Sequence, residues 1–266
     1  MSKDLSERQN ALLGVFAAVV EGIIVQPTVY YKNARAQGLP FTLNPRVLYR
    51  GTSANIVNEA QAMALQFVVA SYLQKLSSSN GSHGNSGRDD LLGAMAGGML
   101  TALLSSPIEL VMIQQQLKGG TLASTPAHVV KQYGLGTRGL SRGLSVTIIR
   151  DAIYVGGMLG VTPVFQGYLE KNHSQSSTVA SLNASLLGGI VAAVPSHPLD
   201  IVKTCMQGDL KQKVYKSPIA TATTLYNQGG VYRLFHGCAW RSLNIILTVW
   251  IANECKNRLS LTFSTF

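Results

Sequence analysis

Residues 196–207 read SHPLDIVKTCMQ and close the uncharged run VASLNASLLGGIVAAVP at 179–195. Asp200 follows Pro198 by two residues, Lys203 follows by three more, and Gln207 by a further four. A proline near the end of an apolar helix removes a backbone donor and kinks the helix. The spacing recurs, as PTVYYK from Pro27 and PIELVM from Pro107. Nine and ten residues before the prolines stand the small pairs Ala17-Ala18, Gly97-Gly98 and Gly188-Gly189. After each proline segment comes a basic residue or histidine before glycine: Arg50-Gly51, Arg142-Gly143 and His236-Gly237. Another mostly apolar, helix-length run then begins.

Such register over three copies marks an internal repeat. The chain divides into 1–76, 88–171 and 179–266, each a helix, a loop and a helix, within one integrated transmembrane unit. SSSNGSHGNSG at 77–87 and NHSQSST at 172–178 read as connecting loops. Six apolar spans follow, so the expected fold class is an all-α membrane protein with three tandem repeats. Composition agrees. Hydrophobic residues make up 46% of the 266, charged residues only 13%, and mean hydropathy is +0.19, whereas soluble domains carry about 25% charge. The windows rich in small residues suit close packing of membrane helices.

The net charge of +10 is mostly a property of the loops. Segments 28–50, 108–142 and 199–236 hold thirteen lysines and arginines against the acids Glu109, Asp200 and Asp209. No basic cluster is interleaved with aromatics, so nucleic acid is not an expected partner. Cys205, Cys238 and Cys255 form neither a metal pattern nor a disulfide framework. No metal or other cofactor is expected. No Ser/His/Asp spacing or phosphate loop appears, so no enzyme is expected and no catalytic residue is assigned. The opening MSKDLSERQN does not read as a secretory signal.

Three P-x-[DE]-x-x-[KR]-type segments in register, each with its downstream glycine pair, resemble the mitochondrial carrier family over nearly the whole chain. The first copy is degenerate, which makes the chain a divergent member. The resemblance implies six helices with threefold pseudosymmetry around a central cavity, in a multi-pass protein of the mitochondrial inner membrane, or of another organelle membrane. It implies kinks at Pro27, Pro107 and Pro198 that turn the helix ends inward and close the cavity on the matrix side. Acid and base then pair between copies: Asp200 with Lys32, and Glu109 with Lys203. The third bridge would need an acid at 29 and a base at 112; Val29 and Met112 stand there. Both partners are lost together, as expected if one half alone would leave a buried charge unpaired. Gln207 resembles the family's glutamine brace on a bridge, with Gln116 and Ala36 at the matching places. The family's opposite gate is largely missing: the aligned places read Ser71…Gln74 and Pro163…Gln166, and Glu254 and Lys256 have the wrong spacing. Helix starts at Gly51, Gly143 and Gly237 are candidate cardiolipin sites, and a monomer is expected.

Ionisable residues within spans are functional candidates by default; here they are Glu21, Glu59, Arg150, Asp151, Arg241 and Glu254. Seven and eight residues after the three glycines come Asn58-Glu59, Arg150-Asp151 and Asn244-Ile245, which should share one depth. In the family this level reads substrate. Arg150 would clamp a carboxylate, with Arg241 as a second anion contact and Asp151 or Glu59 meeting an ammonium. Neighbouring helical residues point about 100° apart, so a mutual Arg150–Asp151 bridge is not expected. The favoured activity is exchange of small carboxylate-bearing metabolites by alternating access, amino acids first. The alternatives are a di- or tricarboxylate carrier of the citrate or oxoglutarate type, and a carrier-like receptor or adaptor that no longer transports.

Overall fold

The computed structural model describes residues 18–62, 65, 86–173 and 176–264, and among them every regular element is helical. The first proline breaks its helix into α1 (18–24) and α2 (Gln26–Gln37), with Val25 at the bend. A short α3 (Pro45–Leu48) and α4 (52–62) follow. The second and third prolines lie inside single long helices, α5 (Ser86–Lys118) and α8 (Ser177–Gly208). Their partners are α7 (Leu144–His173) and α10 (Cys238–Ser264), and the loop helices are α6 (Ser124–Tyr133) and α9 (Pro218–Leu234). Among the described residues, Gly97–Lys118, Leu144–Asn172 and Val179–Gly208 are long and apolar enough to cross a bilayer, and Cys238–Ile251 is a shorter apolar segment.

Apolar clusters such as that of Ile201, Val202, Met206 and Leu225 are buried, but the pattern departs from that of a soluble bundle. Leu100, Leu104, Ile149, Val164, Val191 and Trp250 are exposed, whereas Glu109, Arg150, Asp200 and Lys203 are buried. A lipid-facing rim around a charged interior gives this pattern. Small residues let the helices close in. Gly98 of α5 faces the Asp151 carbonyl of α7, and Gly189 of α8 faces Ile245 of α10.

The three glycines after the loops carry the register. Gly51, Gly143 and Gly237 have φ of 85°, 82° and 86°, a region that side chains disfavour. Each also lies against the next odd helix. A Cβ on Gly51 would stand 3.0 Å from the Met112 carbonyl oxygen, one on Gly237 3.1 Å from that of Lys32, and one on Gly143 3.5 Å from Cγ of Lys203. Residues 32, 112 and 203 are the matching places of the three proline segments, so each glycine packs on the matching turn of the next segment, although Gly143 meets Gln207 Cγ first, at 3.3 Å, and no carbonyl among its nearest atoms. The residue before the proline adds a second tie. Gln26 Nε2 donates to the Arg50 carbonyl (2.9 Å), and His197 Nε2 lies 3.2 Å from the His236 carbonyl. Ser106 is too short to span this gap in the second copy, and there Gln207 Nε2 donates to the Arg142 carbonyl (3.1 Å) instead.

The loops are tied to the helix ends. Arg142 is 2% exposed; its Nε donates to the Met206 carbonyl (2.6 Å) and its Nη2 to that of Tyr215. Asp209 accepts from the amides of Val214 (2.8 Å) and Tyr215 (3.0 Å). Burial raises its pKa, but these amides outweigh that and hold the carboxyl below its usual range.

Replacing Gly237 by Ala imposes positive-φ strain of about 1–2 kcal/mol and presses on Lys32. Gly38→Ala carries similar strain (φ 70°), but a Cβ there has nothing within 4 Å. Thermal unfolding in detergent should therefore show the larger loss for Gly237→Ala. Equal losses would remove the close-approach account.

Candidate functional site

Around the three proline segments, α2, α5, α7, α8 and α10 bring seven charged side chains together. Lys32 Nζ lies 3.0 Å from Asp200 Oδ2, and Lys203 Nζ lies 2.7 Å from Glu109 Oε2. Val29 and Met112 share an apolar cluster with Ala54 and Val111. Below it, Asn33 Nδ2 donates to Gln116 Oε1 (2.8 Å). The α2–α5 seam is thus apolar and hydrogen-bonded where the other two seams are ionic.

Arg150 stands between the ionic seams. Its Nη1 is 3.1 Å from Glu109 Oε1 and 2.9 Å from Asp200 Oδ1, and its Nη2 is 2.6 Å from Asp151 Oδ1. The expectation that Arg150 and Asp151 diverge is overturned. The arginine stem is long enough to fold its guanidinium back over the neighbouring carboxylate, so the 100° between their Cβ vectors does not separate the head groups. Arg150 therefore arrives at the centre with three carboxylates already on it.

Gln207 also differs from expectation. Its amide donates to the carbonyls of Ser106 and Arg142, both at 3.1 Å, and its Oε1 has no hydrogen-bond partner among the described residues. It ties α8 to α5 and to the start of α7 rather than bracing an ion pair, because Ser106 leaves the Arg142 carbonyl open.

The other candidates form a looser shell. Arg241 Nη2 donates to Ser196 Oγ (3.0 Å), its Nη1 lies 3.8 Å from Asp200 Oδ2, and its guanidinium carbon sits 5.4 Å from the Tyr154 ring centre. Asn244 Nδ2 donates to Thr28 Oγ1 (3.1 Å). Asn244 and Arg150 each reach the first two residues after a proline, Thr28 after Pro27 and Glu109 after Pro107. Thr248 Oγ1 donates to Glu21 Oε1 (2.6 Å). Buried Asn58 Oδ1 and Arg241 Nη1 have no hydrogen-bond partner, and Glu59 makes neither hydrogen bond nor ion pair among the described residues. Among the described residues no group of His, Cys, Asp and Glu could hold a metal ion.

Of the expected opposite gate, Ser71, Gln74 and the side chains of Glu254 and Lys256 lie outside the described residues. Gln166 donates to Glu170 (3.0 Å) on its own helix. Sequence reasoning passed over Gln26, Ser196, His197 and Tyr154. The signal for two of them was present, since Gln26 and His197 both precede the proline of their copy.

The family model described as mitochondrial carrier protein matches residues 85–173 and 174–260. An uncharacterized mitochondrial carrier of Schizosaccharomyces pombe is 27% identical, over 90% of this chain and 88% of its own. A mitochondrial arginine transporter of Arabidopsis thaliana is 30% identical, over 61% of this chain and 57% of its own. A mitochondrial tricarboxylate transporter of Mycosarcoma maydis is 22% identical, over 92% of both.

Removing one partner of a buried pair costs about 3–5 kcal/mol, whereas removing both is far milder. The Lys203 side chain is 1% exposed and that of Lys32 is 17%. Lys203→Met should lower the unfolding temperature more than Lys32→Met does. Adding Glu109→Gln to Lys203→Met should recover part of the loss. Neutral pairs are the cleaner probe, because a charge exchange would set a lysine at 109 against Arg150. No recovery in the double variant would remove the pairing as the source of stability.

Proposed function

Because the chain belongs to the mitochondrial carrier protein family, we propose that it exchanges small carboxylate-bearing metabolites, amino acids before di- or tricarboxylates. Members of the family are transporters rather than enzymes, and this chain is a multi-pass protein of a mitochondrial membrane that carries a small-molecule metabolite.

The observation that carries the amino-acid reading is the mixture of incompletely engaged groups beside the charged centre. Among the described residues the buried atoms Arg241 Nη1 and Asn58 Oδ1 have no hydrogen-bond partner, Arg241 Nη1 having only the long 3.8 Å ion pair to Asp200, and Glu59 is unpaired. A substrate bearing both a carboxylate and an ammonium answers all three. The carboxylate accepts from Arg241 and, on displacing a protein carboxylate, from Arg150. The ammonium meets Glu59, with Asn58 and Asn244 as polar neighbours. A polyanion would instead bring its further carboxylates against Glu59 and Glu21, which have no ion-pair partner among the described residues. The Arabidopsis relative is named for an amino acid, which supports this reading. The Mycosarcoma relative is named for tricarboxylates, which keeps carboxylate exchange as the second reading.

In this proposal the paired residues past Pro27, Pro107 and Pro198 are the matrix gate, the three copies are 1–76, 88–171 and 179–266, and the protein acts as a monomer. Anionic lipid is proposed at the helix starts of Gly51, Gly143 and Gly237. A cavity of about 470 Å³ beside Gly143, lined by Thr137, Arg138 and Lys216 among others, suits a phosphate head group.

Counter-exchange by the purified protein in liposomes, screened against amino acids, carboxylates and nucleotides, tests the substrate class. Exchange of amino acids is expected. Glu59→Gln should raise KM for them about tenfold or more and leave dicarboxylate exchange no weaker, since it removes a charge that repels a second carboxylate. Robust nucleotide exchange, or no exchange of any compound, would overturn the reading.

A further inference from the structure

A threefold ring of ion pairs has three seams, and here one seam has lost its pair. With Val29 and Met112 in the places of acid and base, charge no longer ties α2 to α5. The two remaining pairs belong to different helix junctions: Lys32–Asp200 joins α2 to α8, and Lys203–Glu109 joins α8 to α5. Arg150 enters from α7, a helix outside these proline segments, and touches the acid of both pairs with one nitrogen. The result is one unbroken chain of charges: Lys32, Asp200, Arg150, Glu109, Lys203. It returns towards Asp200, which lies 4.0 Å from Lys203.

We propose that Arg150 compensates for the missing third bridge: it holds the matrix-side closure by joining the acid of the α2–α8 pair to the acid of the α5–α8 pair, so that α2 and α5 are linked through Lys32, Asp200, Arg150 and Glu109. The geometry supplies the reason. Glu109 and Asp200 converge on Arg150 Nη1 at 3.1 and 2.9 Å. Without that cation, two carboxylates would share the buried centre with one lysine each, and like charges in a low-dielectric site repel strongly. Asp151 completes the device by taking Nη2 and fixing the direction of the guanidinium. Binding and opening are then linked. A substrate carboxylate that takes a place on Arg150 must displace Glu109 or Asp200, which loosens the closure. The inference rests on the family's transport activity and is independent of which carboxylate is carried.

A native thiol reads the closure directly. Cys205 is 1% exposed, and its Sγ lies 3.0 Å from the Ala36 carbonyl across the α2–α8 junction. It meets an aqueous maleimide only when that junction parts. In full-length protein in liposomes, with Cys238→Ser and Cys255→Ser as background, Arg150→Gln should raise the rate of Cys205 labelling about tenfold. Adding Val29→Asp with Met112→Lys, which rebuilds the absent pair, should return the rate towards that of the background. Arg150→Lys, whose single ammonium can serve fewer carboxylates, should fall between. If Arg150→Gln does not fold, recovery of folded protein on adding the Val29→Asp and Met112→Lys pair carries the same conclusion. Labelling unchanged by Arg150→Gln or Arg150→Lys, or a rebuilt pair that restores nothing, would overturn the proposal. A failed substrate screen would leave the labelling result standing, so the two readings fail separately.

Discussion

The cost of holding ions away from water governs this structure. Lys203, Asp200, Glu109 and Arg150 are nearly inaccessible to solvent inside a bundle whose outer face is apolar. None of them could stay charged alone there. Each is stable because the others are present, and they can be present together only if α2, α5, α7 and α8 bring the segments that carry them to one point. The charges do not hold the helices together in the way an apolar core does. They restrict which arrangement of the helices is tolerable, since any other would leave a carboxylate or a cation without its partner.

The prolines and glycines serve that constraint. A proline stands in each odd helix beside the charged centre and removes a backbone donor there, and the glycine after each loop lets the following helix start in close contact with its neighbour, with the backbone at Gly51 and Gly237 and with side chains at Gly143. The contacts are to the Met112 and Lys32 carbonyls and to the Lys203 side chain, at matching places of the three segments. The threefold plan therefore survives where the side chains differ. The first copy has lost its acid and the second its base, yet Gly51 still meets Met112. Local asymmetries are absorbed by reach: Gln207 covers the Arg142 carbonyl that Ser106 cannot.

The same constraint shapes the transport reading. An arginine engaged by three carboxylates is a poor free anchor and a good competitor site, because a new anion can replace an old one without leaving a charge bare. Arg241 and Glu59, less fully engaged, are better placed for first contact with a zwitterion. Binding strength at the centre is thus a difference between two sets of ion pairs, and only that difference can shift the balance between closed and open forms.

Much of this was legible in the residues. Three prolines in register, three glycines after the loops and the paired loss at Val29 and Met112 are local in spacing; they carry the family resemblance and the helical class, and the resemblance in turn implies the partners Asp200–Lys32 and Glu109–Lys203, which the structure brings to 3.0 and 2.7 Å. The tertiary structure decided what depends on side-chain reach across helices. It folded Arg150 back onto Asp151, carried it to Glu109 and Asp200, and sent Gln207 to backbone carbonyls. Sequence spacing gives the direction of a Cβ and the register of a helix. Where a long, flexible head group comes to rest is set by the partners that other helices bring within its reach, and that is settled only once the bundle has closed.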